Sequence, residues 1–97
     1  MKVLFSATFQ KQALTMDRAD AKLVGAVLSR LQLTDIPLGK RLSGELHNCY
    51  AIRVGLNHRL RLVYEFQELD ARVLVVGPRE RGIVYIQAIQ GLKELER

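Results

Sequence analysis

Tyr50-Ala51-Ile52-Arg53-Val54 and Leu60-Arg61-Leu62-Val63-Tyr64-Glu65-Phe66, separated by Gly55-Leu56-Asn57-His58-Arg59, decide the fold. In the first run Tyr50, Ile52 and Val54 alternate with Ala51 and Arg53. In the second, Leu60, Leu62, Tyr64 and Phe66 alternate with Arg61, Val63 and Glu65. A period of two sends successive side chains to opposite faces of a strand, so both runs are predicted as strands with one buried and one wet face.

Opposite residues of an antiparallel pair share a face, so apolar must meet apolar. A turn at Gly55-Leu56-Asn57 satisfies this by pairing Val54 with His58. Ile52 then faces Leu60, Arg53 faces Arg59 and Ala51 faces Arg61, which makes the wet face an arginine face. A third strand, Arg72 to Pro78, is apolar on both sides. Turning back through Glu68-Leu69-Asp70, it sets Gly77 opposite Arg61 and Arg79 opposite Arg59. Like charges directly opposite cost roughly 0.2–1 kcal/mol per pair. A cluster of Arg53, Arg59, Arg61 and Arg79 without carboxylates therefore calls for an anion. Phosphate fits, because the planar guanidinium binds it bidentately.

Upstream, Lys2-Val3-Leu4-Phe5 has strand composition and Ser6 can cap a helix starting at Ala7. That helix is expected to carry Phe9 and Ala13 inward and Gln10, Lys11 and Gln12 outward. Asp17, with Asp20 three residues on, marks a second helix start. Val24, Val27, Leu28 and Leu31 then form an apolar stripe that packs on a sheet. Gly25 costs about 1 kcal/mol against Ala in a helix, which a close approach of a neighbour would explain. Thr34 to Leu46 holds Pro37, Gly39 and Gly44 without a period and reads as a loop. Its Lys40 and Arg41 are either solvated charges or an extension of the anion surface. Downstream, Pro78-Arg79-Glu80-Arg81-Gly82 is a polar turn. A last helix from about Ile83 to Leu95 aligns Tyr85, Ile89 and Leu92, and Gly91 weakens its final turns.

The 97 residues form one domain, large enough for a single modest core. The net charge of +5 favours an acidic partner: nucleic acid, an acidic protein or a membrane surface. The charge is concentrated, since 40–61 holds Lys40, Arg41, Arg53, Arg59 and Arg61 against Glu45 alone. Cys49 is the single cysteine and lies on a strand, so a buried, inert thiol in a reducing compartment is expected. No secretory h-region or bilayer-spanning run is present, and the expected location is the cytoplasm, away from membranes.

His47, His58 and Cys49 show no metal-ligand spacing, and neither a Gly-rich phosphate loop nor a nucleophile elbow occurs. No cofactor is therefore expected. Arginines and a tyrosine can support metal-free cleavage of a phosphodiester. In RNA the 2′-hydroxyl is a nucleophile already held beside the phosphorus. The protein has then to orient the nucleotide, stabilise charge on the phosphoryl oxygens and assist proton transfer. Arginine stays protonated and makes a poor base. His58, next to Arg59, has a ring suited to proton transfer, but its place at the turn equally suits an exposed residue.

The motifs Asn48-Cys49-Tyr50-Ala51-Ile52-Arg53, Arg61-Leu62-Val63-Tyr64-Glu65-Phe66 and Arg79-Glu80-Arg81-Gly82-Ile83-Val84-Tyr85 resemble those of the RelE/ParE superfamily of bacterial toxins, and the latter two are nearest its RelE branch. The resemblance spans nearly the whole chain. It implies an α+β fold: an N-terminal strand, a two-helix hairpin, a three-stranded antiparallel meander joining one antiparallel-dominated sheet, and a C-terminal helix. It further implies the toxin of a type II toxin-antitoxin pair, partnered by an acidic antitoxin and cutting mRNA in the ribosomal A site. On that basis Arg61 and Arg79 stabilise the transition state, Tyr85 stacks on or orients a nucleotide, and Arg53 takes the place of the second of two lysines. Arg59, Lys40, Arg41, Arg81 and His58 would contact RNA. Ala51 departs from the pattern, standing where the family has the first lysine. Two alternatives stay open: a ParE-like inhibitor of DNA gyrase, and a degenerate member that only binds.

Overall fold

The computed structural model describes residues 1–78 and 80–95, and of Leu56, Arg81 and Leu95 the backbone alone. Its N-terminal third is built as the capping residues predict. After strand β1 (Lys2–Phe5), the Ser6 hydroxyl accepts from the Phe9 amide at 3.0 Å and opens helix α1 (Ala7–Thr15). The same hydroxyl donates to the Leu74 carbonyl at 2.6 Å, which ties the helix start to the sheet. Asp17 accepts from the Asp20 amide at 2.8 Å and opens helix α2 (Arg18–Gln32). At the far end of α2 the Met1 amino group donates to the Leu31, Gln32 and Thr34 carbonyls, which ties the start of β1 to the end of the helix.

The chain then crosses to the far edge of the sheet and returns through β2 (Lys40–Arg41), β3 (Cys49–Val54), β4 (Leu60–Gln67) and β5 (Asp70–Pro78). The strand order is β1-β5-β4-β3-β2, with β1 parallel to β5 and the other pairs antiparallel. Helix α3 (Ile83–Leu95) closes the described chain. Phe9, Val24, Val27 and Leu31 pack on Ile52, Val54, Leu62, Tyr64 and Val73 on one face. Val84 and Ala88 pack on Cys49, Ala51, Val63, Leu74 and Val75 on the other. Truncating a fully buried leucine such as Leu62 removes about 2–5 kcal/mol. The architecture is the predicted α+β one.

Several local expectations are corrected. The sheet has no wholly wet face, because α3 and a short 3-10 turn at Gly44–Leu46 cover the side on which Cys49, Ala51 and Val63 lie. The β3–β4 register differs by two residues: Val54 faces Leu60, Ile52 faces Leu62, Arg53 faces Arg61 and Ala51 faces Val63. The connection runs through all five residues from Gly55 to Arg59, with Gly55, Asn57 and His58 at positive φ. That longer loop moves the pairing without moving any side chain to the other face.

Gly77 does lie opposite Arg61, but by a different route. The β4–β5 turn is the two-residue Glu68-Leu69, and an irregularity between Val63 and Tyr64 restores the alignment. Lys40-Arg41 is an edge strand, not part of a loop. Gln12 is drawn inward, its Oε1 accepting from the Val76 amide at 2.9 Å, while Ala13 is exposed. Nothing lies within 4 Å of a side chain built at Gly25, so no close approach explains that residue. Gly91 is buried against Leu74.

Candidate functional site

The antiparallel pairings bring cationic side chains from three strands to one end of the face covered by α3. Arg53 and Arg61 are direct partners across β3 and β4. Lys40 on β2 is the direct partner of Ala51 on β3. Tyr85, in the first turn of α3, is half-buried against the core of that face. Together Lys40, Leu42, Ala51, Arg53, Arg61 and Tyr85 line a cavity of about 160 Å³. Lys40 and Arg53 are exposed and Arg61 is half-buried, while Ala51 presents a buried methyl group. An Arg61 Nη1 donates to the His58 carbonyl at 3.2 Å, which holds the guanidinium along the strand.

Among the described residues no carboxylate pairs with the cations at this end of the sheet. Among the described residues, Asp20 pairs with Arg59, Glu65 with Arg72 at 3.7 Å, and Asp35 with the Met1 amino group at 3.9 Å. None of these reaches the cavity cations. Three positive groups around so small a space favour an anion that offers several acceptor oxygens, and Tyr85 supplies an aromatic face and a hydroxyl beside it. Cys49, at the covered end of the same face, cannot serve as a nucleophile there. Burial, and then the Glu65 carboxylate opposite it, push its thiol up to about 12, so it stays protonated.

The structure thus gathers Arg53, Arg61, Tyr85 and Lys40 and separates other candidates from them. Arg59 ion-pairs with Asp20 of α2, so the expectation of an arginine face without carboxylate partners fails at this residue. Arg41 alternates with Lys40 along β2 and points to the opposite face, where its Nε donates to the His47 carbonyl at 2.9 Å. His58 lies exposed in the β3–β4 loop, and its backbone carbonyl, not its ring, meets Arg61. Arg79 lies outside the described residues, as does the side chain of Arg81.

Two features escaped the sequence reading. Leu42 lines the cavity as the next residue after Lys40 on its side of the chain. On the opposite face, Arg41, Asn48, Tyr50 and Phe66 line a second cleft of about 240 Å³. Its floor is an aromatic group: Tyr50 stacks on Tyr64 with centroids 5.8 Å apart and meets Phe66 edge-on at 6.4 Å. The signal for both was the alternation Lys40-Arg41-Leu42, which is too short to be read as a strand by its period.

No protein-family model matches the chain, and no curated protein matches it by sequence. Solved structures do. The chain is similar to a double arginine-to-alanine mutant of the E. coli toxin RelE in the free state, with 22% identity over 92% of this chain and 94% of that one and a TM-score of 0.74. It is also similar to the isolated E. coli RelE toxin, with 25% identity over 94% and 97% of the two chains and a TM-score of 0.64. The agreement extends over the helical pair, the five-stranded sheet and the terminal helix, and this chain has the fold of the RelE toxin.

Proposed function

We propose that the chain is the toxin of a toxin-antitoxin pair and acts as an endoribonuclease on mRNA in the ribosomal A site. The observation that carries this reading is the direct pairing of Arg53 with Arg61 in a cavity that also holds Lys40 and Tyr85 and has no carboxylate partner among the described residues. The shared fold with RelE supports it further.

In the proposed reaction the 2′-oxygen of the nucleotide attacks the adjacent phosphorus while the bond to the departing 5′-oxygen breaks. The 2′-hydroxyl proton passes to water and the 5′-oxygen takes one from water. A 2′,3′-cyclic phosphate and a 5′-hydroxyl end result. Arg61 and Arg53 hold the non-bridging oxygens, whose charge grows in the transition state, and so lower the barrier more than they tighten substrate binding. Tyr85 sets the base or ribose of the attacking nucleotide for in-line geometry. Arg79 would add a further guanidinium. An acidic antitoxin would neutralise the same cations, which gives the net charge of +5 a second use.

Primer extension on a defined mRNA in a reconstituted translation reaction, beside a ribosome-free control, tests this reading. Cuts within codons that need the ribosome are expected. No cuts by a folded protein would overturn it, and a gyrase supercoiling assay would then test the ParE-like alternative.

A further inference from the structure

Among the described residues Lys40 is the one lysine that lines the cavity, and it comes from the edge of the sheet. β2 is only two residues long and forms the edge of the sheet. Gly39, immediately before it, has φ +90, and a side chain there would collide with the Ala51 carbonyl and the Ile52 side chain. The glycine therefore lets β2 lie tightly against β3. In that register Lys40 stands directly beside the Ala51 methyl, on the same face as Arg53 and Arg61. Position 51 offers the cavity a methyl group alone, and the lysine stem is long enough to reach across it.

Resting on the reading of the cavity as a phosphodiester site, we infer that Lys40 is a catalytic residue that contacts the scissile phosphate. Its ammonium donates to a non-bridging oxygen over Ala51, while Arg53 and Arg61 hold the oxygens from the other side. In this role what matters is an ammonium at that point, whichever strand delivers it. Cβ atoms of directly opposite residues lie about 4.5–5.5 Å apart, and a four-carbon stem with rotatable donors spans that difference. A lysine at position 51 should therefore replace one at position 40.

The experiment compares the wild-type chain with Lys40→Ala, with Lys40→Ala/Ala51→Lys and with Lys40→Cys. Each is titrated with inorganic phosphate, followed by the amide resonances of Ala51, Arg53 and Arg61, and each is assayed for single-turnover mRNA cleavage on programmed ribosomes. Lys40 is exposed, so Lys40→Ala is expected to keep the wild-type melting temperature. It should weaken phosphate binding about 10-fold, the size of one charge-assisted hydrogen bond, and slow cleavage by about 100-fold or more. The double variant should recover both to within about 5-fold, since charge and reach are kept.

Position 51 is buried, so Lys40→Cys gives a second route that leaves it untouched. Alkylation with 2-bromoethylamine rebuilds a lysine-like ammonium at position 40 and should restore binding and cleavage, whereas iodoacetamide should not. Cys49 is fully buried and will not compete for either reagent. Wild-type phosphate binding and cleavage by Lys40→Ala would overturn the inference, as would a failure of the alkylated Lys40→Cys protein to regain either. Should the wild-type chain cut no mRNA, the nuclease reading fails on its own. Loss of phosphate binding in Lys40→Ala and its return on alkylation would then still support the placement of Lys40, and unchanged binding would refute it.

Discussion

Arg53 and Arg61 face each other directly across β3 and β4, and among the described residues neither has a carboxylate partner. A like-charge pair at this position costs roughly 0.2–1 kcal/mol. The fold therefore carries a repulsion that an anionic ligand would relieve. Arg53→Thr removes the repulsion and substitutes a good strand former, so it should stabilise the free protein by up to about 1 kcal/mol. The gain should shrink as salt screens the pair. Phosphate binding should fall at the same time. Urea unfolding at low and high salt, paired with phosphate titration, checks both halves; a variant that loses stability and binding together would mean that Arg53 is a packing residue.

Gly39 sets the position of β2, because its φ of +90 and the Ala51 carbonyl beside it exclude a side chain. Gly39→Ala should displace β2 from β3 while the rest of the sheet persists, costing about 1–3 kcal/mol. Amide hydrogen exchange should show the change as faster exchange at Leu42, whose N–H donates to the Cys49 carbonyl at 2.9 Å, with little change in β4 and β5. Lys40 would lose its place over Ala51, so cleavage should drop as far as in Lys40→Ala. Full activity in a Gly39→Ala protein with frayed β2 would contradict the site as described.

Much of this molecule was legible from short-range pattern. Ser6 and Asp17 announced the helix starts, and the stripe Val24, Val27, Leu31 announced the buried face of α2. Arg53 and Arg61 were placed on one face correctly even though the register was off, because a shift of two residues preserves the alternation. What failed depended on other kinds of information. Asn57 and His58 adopt positive φ in the longer loop, and neither residue type requires that conformation. Arg59 found its carboxylate in Asp20, far away in the chain, where no spacing rule looks. β2 has two residues and no period, so its pairing of Lys40 with Ala51 could not be read. The cover over Cys49, Ala51 and Val63 was hinted at, since all three are apolar on the face expected to be wet.

The β4–β5 hairpin turns through Glu68 and Leu69, both in left-handed backbone with φ 52 and 66, and Leu69 is exposed. For residues with a Cβ this conformation costs roughly 1–2 kcal/mol each. Two-residue hairpin turns of this kind are best served by Asn-Gly. Glu68→Asn/Leu69→Gly should therefore stabilise the protein by about 1–2 kcal/mol. Chemical denaturation would register it as a higher midpoint with an unchanged slope. A lower midpoint would show that Leu69 makes contacts in the folded state that outweigh its backbone strain.

Alkaline pH should weaken the fold through two groups. Burial, and then Glu65, push the Cys49 thiol from 9.0 up to about 12. Burial pushes the Tyr64 phenol from 10.0 to about 12, against the lowering effect of its hydrogen bond to Leu38. Between these limits the unfolded chain has released protons that the folded chain still holds, so the unfolded state binds fewer protons and stability falls as pH rises. Neither group contributes a slope below about pH 9. Melting temperature should thus decline from about pH 9 upward, and Cys49→Ala should delay that onset. Tyr64→Phe should remove the part that begins near pH 10. It carries a separate cost at neutral pH, because the hydroxyl accepts from the Leu38 amide at 2.7 Å and donates to its carbonyl at 2.6 Å. Leaving both groups without a partner costs about 1–3 kcal/mol and should loosen the segment that leads into Gly39 and Lys40. A pH-independent melting temperature in the wild-type chain up to pH 11, about two units above the unfolded thiol's titration, would mean that neither group is held protonated by the fold.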